Sequence, residues 1–231
     1  MIYKNILYST LSGLLLFASC AQTPENAEQV NHLSNMYPDY ADVTIPVNIA
    51  PLNFEIRNKH LCNIETILTI EGADEYDADN TLTATSNSQN LKFDLKEWKY
   101  FLAKAAGKNI KVQIYSKNDE GKWTAFRPFT WQVVSDSIDS YLTYQLIEPT
   151  YDVWSKTKIK QRCIENWDEK ILADYTLIKN LKMNTYAYGN QDENLSIIYL
   201  RGENGGTILN RNGKLRKLNL QGKGMASPGI Y

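Results

Sequence analysis

Residues 42–56, "DVTIPVNIAPLNFEI", decide how this chain folds. Val43, Ile45, Val47 and Ile49 alternate with polar or small residues, and Leu52, Phe54 and Ile56 resume the same period of two. That period puts successive side chains on opposite faces of an extended strand, so the stretch predicts β structure with one apolar face. Pro46 and Pro51 each remove an amide donor, which confines the segment to a sheet edge, a bulge or a switch between sheets. Working outward, "ETILTIEG" (65–72) and "TLTATS" (81–86) repeat the alternation and predict two further strands. "NIKVQIYS" (109–116), the loop "KNDEG" (117–121) and "KWTAFRPFTWQVV" (122–134) predict a β-hairpin with Gly121 at a left-handed turn position. "YLTYQLIEP" (141–149) predicts a final strand.

One helix interrupts this pattern. Asp94 and Glu97 form a capping-box-like pair ahead of "LKEWKYFLAKAAG" (95–107), where Leu95, Trp98, Phe101, Leu102 and Ala105 share a face and Gly107 supplies the stop. The fold class is therefore mainly β: residues 43–149 predict an immunoglobulin-like β-sandwich with one inserted helix. The Cys…Trp…Cys spacing of antibody domains is absent, so the likeness is architectural.

The N-terminal "MIYKNILYSTLSGLLLFASC" (1–20) has the form of an export signal, with Lys4 ahead of an apolar run too short to span a bilayer as a mature helix. It ends in "FASC", which resembles the lipobox of bacterial lipoproteins and makes Cys20 the lipid attachment point. The polar stretch from Ala21 to Asp42 then reads as a flexible tether. Several acyl chains at about 0.8 kcal/mol per buried methylene hold a protein durably on a membrane, so the expected partner at this end is the membrane, through a lipid anchor. Ala21 follows the cysteine and no Asp occupies the next positions, which points to the outer membrane. Glu25 and Glu28 are too sparse to choose the leaflet.

Composition narrows the function classes. Of 231 residues, 43% are apolar and 22% charged, a balance that supports a sizeable core. Lys+Arg 25 against Asp+Glu 26, without a dense basic block, leaves no electrostatic footprint for nucleic acid. Trp 5, Tyr 15 and Phe 6 suit sheet packing first, and carbohydrate or protein contact surfaces second. With Cys20 lipidated, Cys62 and Cys163 remain, and spacing alone does not decide whether they pair. His32 and His60 are the sole histidines, so no metal site of the usual ligands is expected. His60, in the polar turn "RNKHLCN", lies too near Cys62 in sequence to suggest a catalytic pair. The acids of "DEYDAD" (74–79) and "NWDE" (166–169) read as loop and helix-surface charges rather than the spaced carboxylates of a glycosidase. No catalytic residue is assigned.

Residues 150–231 change texture and predict a small α+β segment. "YDVWSKTKIKQRCIENWDEKILADY" (151–175) carries Trp154, Ile159, Ile164 and Trp167 at irregular helical spacing and reads as a broken helix. "NLSIIYLRG", "GGTILNRNG" and "KLRKLNL" follow as strands, with Asn212-Gly213 the preferred pair for a type I′ hairpin turn. Gly202, Gly205 and Gly206 suit a tight turn. A phosphate cradle is disfavoured because no "GK[ST]" follows.

"YPDYADVTIPVNIAPLNFEI" (37–56), "QRCIENWDEKIL" (161–172) and "RGENGGTILNRNGKLRKLNL" (201–220) together resemble the N-terminal part of Bacteroides-type TolB-like, WD-repeat-like β-propeller lipoproteins. The resemblance implies a sandwich ahead of a propeller that this chain lacks. It also implies a c-type haem motif between the two later segments. Here Lys182 and Thr185 stand at the cysteine positions and Tyr186 at the histidine. Tyr199 and Asn204 replace later histidines, while Arg201 and the glycines keep the frame. Covalent haem needs two thiols and an imidazole, so the site reads as vacated and no cofactor is expected. The resulting expectation is a non-enzymatic, lipid-anchored envelope protein, a binding or scaffold module for a protein or glycan. The alternative is a degenerate cytochrome-like or small-ligand accessory module in which Tyr186, Tyr199 and Arg201 converge on a pocket.

Overall fold

The structure, a computed structural model, describes residues 24, 26–58, 60–73, 77–147, 157–174, 182–189, 192–201 and 205–219. Its strands in chain order are β1 (Glu28–Gln29), β2 (Met36–Tyr37), β3 (Thr44–Pro46), β4 (Phe54–Ile56), β5 (Leu61–Ile70), β6 (Thr81–Ser86) and β7 (Asn90–Leu91). Helix α1 (Leu95–Lys104) precedes β8 (Asn109–Asn118), β9 (Trp123–Ala125), β10 (Phe129–Val134) and β11 (Tyr141–Leu146). Then follow β12 (Lys158–Cys163), β13 (Glu169–Asp174), β14 (Lys182–Gly189), β15 (Asp192–Arg201), β16 (Gly206–Arg211) and β17 (Lys214–Lys217). The fold is mainly β and sandwich-like, with one α-helix among the described residues.

The N-terminal part is built on the ten-residue strands β5 and β8, which pair antiparallel along their length. β6 continues the sheet beyond β5, while β9 and β10 share the far edge of β8. Strict alternation turns one face inward, so rows of side chains cross the strands: Phe129, Val112, Leu68 and Leu82 in one, Trp131, Ile110 and Ile70 in the next. These residues are buried. The three-stranded sheet β2–β4–β7 and helix α1 cover that face. Residues 42–56 change sheets as the prolines required: β3 is a parallel edge strand on β10 ending at Pro46, and β4 belongs to the opposite layer.

Helix α1 starts where expected, with the Asp94 carboxylate accepting from the amides of Lys96 and Glu97. Trp98, Phe101, Leu102 and Ala105 enter the core, but Leu95 does not. It is 38% exposed because the first turn overhangs the sheet. The Gly121 turn has φ +84°. Three indoles also tie down connections. Trp98 Nε1 donates to the Ile49 carbonyl (2.8 Å), Trp131 Nε1 to Tyr40 (2.7 Å) and Trp167 Nε1 to Pro51 (2.9 Å). A buried indole needs such an acceptor, and the loops receive fixed positions in return.

Three expectations are corrected. The tether does not extend to residue 42: β1 pairs with β9, the Val30 amide donates to Ala125, and Met36 is buried in the core. Strands of two residues are too short to show a period, so only packing against an existing edge orders them. Tyr141–Leu146 does not close the sandwich but starts a separate three-stranded sheet, β11–β12–β13. Residues 158–174, expected helical, form the β12–β13 hairpin of that sheet. Its turn is closed by Asn166, whose side chain caps the Asp168 amide, and by Trp167 at φ +64°. Trp154 and Cys20 lie outside the described residues. Cys62 and Cys163 are free thiols.

The last sheet is an antiparallel meander, β14–β15–β16–β17. Asn212 (φ +52°) and Gly213 (φ +76°) make its final turn, both left-handed as a type I′ hairpin demands.

Candidate functional site

The two C-terminal sheets face each other. Ile159 of β12 and Ala173 of β13 pack on Ile198, Leu200 and Ile208 of the meander, with Tyr186 alongside. Alternation on β11 and β12 puts Tyr141, Thr143 and Gln145 on the same side as their partners Cys163, Gln161 and Ile159, the side turned to the meander. On β14 the Tyr186 hydroxyl crosses the gap and donates to the Thr143 carbonyl at 3.1 Å. Burial pushes the Tyr186 phenol above its ordinary value, and the neighbouring Tyr188 adds to the rise. The Tyr186 and Tyr188 rings meet edge-on with centroids 5.9 Å apart.

Beyond this contact the sheets splay, leaving a cleft of about 620 Å³ lined by Asp139, Ser140, Tyr141, Leu142, Thr143, Gln161 and Tyr188. Behind it, a cavity of about 70 Å³ lies among Tyr186, Tyr188, Ser196, Ile198 and Asn210, and Tyr188 stands between the two. Gln161 is 3% exposed, its Nε2 lies 3.5 Å from Thr143 Oγ1, and its Oε1 has no partner. Ser140 is committed, donating to Glu165 at 2.6 Å. The Asp139 carboxylate and the Tyr141 and Tyr188 hydroxyls form no hydrogen bond with any described residue. The cleft thus combines two aromatic surfaces with unspent acceptors and donors.

Glu165 anchors one wall. It accepts from Ser140 Oγ and Asn48 Nδ2 (3.3 Å), and Lys99 of α1 stands 3.7 Å away. These hydrogen bonds, that to Ser140 foremost, hold its carboxyl below the usual range. The outer face of the β11–β13 sheet carries a separate ionic cluster in which Glu169 binds Lys160, Tyr144 and Arg162. Glu169 is drawn down to about 2, mostly by its hydrogen bond from Lys160. Asp79 is likewise lowered by Lys104 and Tyr100. Asp79 of the first acidic motif and Glu169 of the second are therefore held toward their charged forms by their partners. His60 sits at the surface, 3.2 Å from Asp119.

The convergence of Tyr186, Tyr199 and Arg201 is corrected. Tyr186 pairs with Ile198, and Tyr199 is the next residue along β15, so a period of two sends these tyrosines to opposite faces of the meander. Arg201 lies on the Tyr199 side and is exposed. Lys182 pairs with Arg201 and Thr185 with Tyr199, with a shift of register between Met183 and Thr185. With no thiol at 182 or 185 and no imidazole at 186, the residues present do not fit a covalent haem. Gly206 opens β16 at φ +143°, a backbone that favours glycine, and Gly202 lies outside the described residues.

Tyr141, Thr143, Gln161 and Asp139 are the cleft residues that sequence reading passed over. A faint signal exists in "KIKQRC", where Lys158, Lys160 and Arg162 alternate with the uncharged Ile159, Gln161 and Cys163. No protein-family model matches the chain, and no curated protein matches it.

Proposed function

We propose that this chain is a non-enzymatic, lipid-anchored protein of the bacterial outer membrane, acting as a binding module through the cleft between its two C-terminal sheets. The observation that carries the reading is the cleft itself: a volume within the roughly 300–1,000 Å³ usual for ligand sites, with convergent aromatic and polar groups. The "FASC" motif at Cys20 supports the anchor. The resemblance to TolB-like propeller lipoproteins supports an envelope setting.

Two measurements test this. Metabolic labelling with an alkyne fatty acid should mark the full chain and be lost in Cys20→Ser; labelling that persists in that variant refutes the anchor. A photo-crosslinking residue at Asp139, an exposed position in the lining of the cleft, should yield a discrete adduct in intact cells that the same residue at Tyr100, on the exposed face of α1, does not. Equal adducts at both positions, or none, would refute the cleft as the binding surface.

A further inference from the structure

We infer that the cleft takes a neutral saccharide, a short chain of linked sugar rings; this rests on the binding-module reading above. The lining selects by exclusion and by match. No Lys, Arg or His lines it; Lys170 Nζ stands 5.8 Å from the Tyr141 ring centroid on the same face, and the Asp139 carboxylate in the lining offsets that single cation, so a phosphate, sulfate or carboxylate ligand meets no net positive charge. Leu142 is the lone aliphatic residue in the lining, and its alternation with Tyr141 and Thr143 turns its side chain to the outer face, so the cleft offers too little apolar surface for an acyl chain.

What remains fits a polyhydroxylated ring. Tyr141, 53% exposed, and Tyr188 offer aromatic surfaces on which the C–H face of a pyranose packs while its hydroxyls point to the rim. Adjacent sugar hydroxyls are both donors and acceptors. The Asp139 carboxylate accepts two, and the tyrosine hydroxyls do either.

The second observation comes from the floor of the cleft. Gln161 is buried with its Oε1 lacking a donor, an unmet acceptor that destabilises the folded chain. The terminal torsion of glutamine is broad, so a small rotation presents that oxygen to an arriving hydroxyl. A ligand donor would remove the penalty, which is how an apo site stores affinity for a polar ligand. Thr143 Oγ1, at 3.5 Å from the Gln161 amide nitrogen, is held loosely enough to join the same contact. The volume of the cleft suits linked rings better than a free hexose.

The test is saturation-transfer difference NMR on the full chain with maltotriose, cellotriose, mannotriose and chitotriose, and a sulfated trisaccharide as the charged control. At least one neutral trisaccharide should bind and the sulfated one should not. Tyr188→Ala and Tyr141→Ala should each weaken binding about tenfold, the loss expected from one stacked ring, while Tyr100→Ala should leave it unchanged. Because Tyr188 also packs on Tyr186, the exposed Tyr141 and Asp139→Asn carry the test if Tyr188→Ala misfolds. No binding by any neutral probe, a preference for the sulfated one, or binding that survives Tyr141→Ala would overturn the inference. If an Asp139 crosslink forms while no saccharide binds, the binding module stands and the saccharide assignment falls. If neither is seen, both fall.

Discussion

Replacing Trp167 tests how the C-terminal sheets are attached to the sandwich. The residue sits in the β12–β13 turn at φ +64°, where a side chain costs roughly 1–2 kcal/mol. The turn is tolerated because the indole donates to the Pro51 carbonyl at 2.9 Å, while the adjacent Ala50 amide donates to Ile164 at 2.7 Å. Trp167→Ala keeps the backbone strain, loses the indole's packing and removes one of two hydrogen bonds to the Pro51 carbonyl, which keeps that from the Asn53 amide at 2.9 Å. The hydrogen-bond loss alone is about 0.5–1.5 kcal/mol, and with the half-buried ring the total should reach roughly 2–3 kcal/mol. Trp167→Gly removes the same contacts but relieves the strain, so it should be the less damaging change by about 1 kcal/mol. That order inverts what glycine does in a strand or helix. Urea denaturation followed by circular dichroism measures both variants. If Trp167→Gly proves equal to or less stable than Trp167→Ala, the left-handed turn is not what the indole holds in place.

Three further outcomes follow from the same geometry. Trp98→Phe fills most of the volume but leaves the Ile49 carbonyl unpaired, and should cost about 1–3 kcal/mol in the same denaturation assay, against about 3–5 for Trp98→Ala. Glu169 titrates lower in the folded state than in the unfolded chain, so its stabilising effect is present above the ordinary glutamate range and fades as pH falls towards about 2. The stability gap between the protein and Glu169→Gln should accordingly close between pH 5 and pH 2 (roughly) in thermal melts, and a gap independent of pH would refute the ionic role of that cluster. Gly206→Ala should destabilise by about 1–3 kcal/mol through its backbone angle, since the added Cβ would meet only the mobile end of Lys217; no change in melting temperature would show that the strand start relaxes freely.

How much of this was legible beforehand depends on the length of each signal. The ten-residue β5 and β8 alternate long enough to declare their inward faces, and α1 carries its cap in Asp94. The Asn212-Gly213 turn is written in two residues because both need positive φ. Lys158–Cys163 was illegible as a strand because Ile159 is its one aliphatic residue, and charges on the other face carry no hydrophobic period. Its partner β11 has a weak inward face of Tyr141, Thr143 and Gln145, polar because it lines a cleft instead of a core. Sites of this kind escape pattern reading for a physical reason: a surface kept open for a ligand cannot also show the apolar alternation of a packed one.

Local rules in the sequence determined the sandwich strands, the proline-forced change of sheet, the helix with its cap and the type I′ hairpin. Tertiary structure alone decided that β11 leaves the sandwich, that residues 28–42 dock on it, and that Tyr186 and Tyr199 part company. Each of those outcomes depends on which edge or face a segment meets after collapse. Strand partners far apart in the chain compete for the same hydrogen bonds, and their local sequence does not encode the winner.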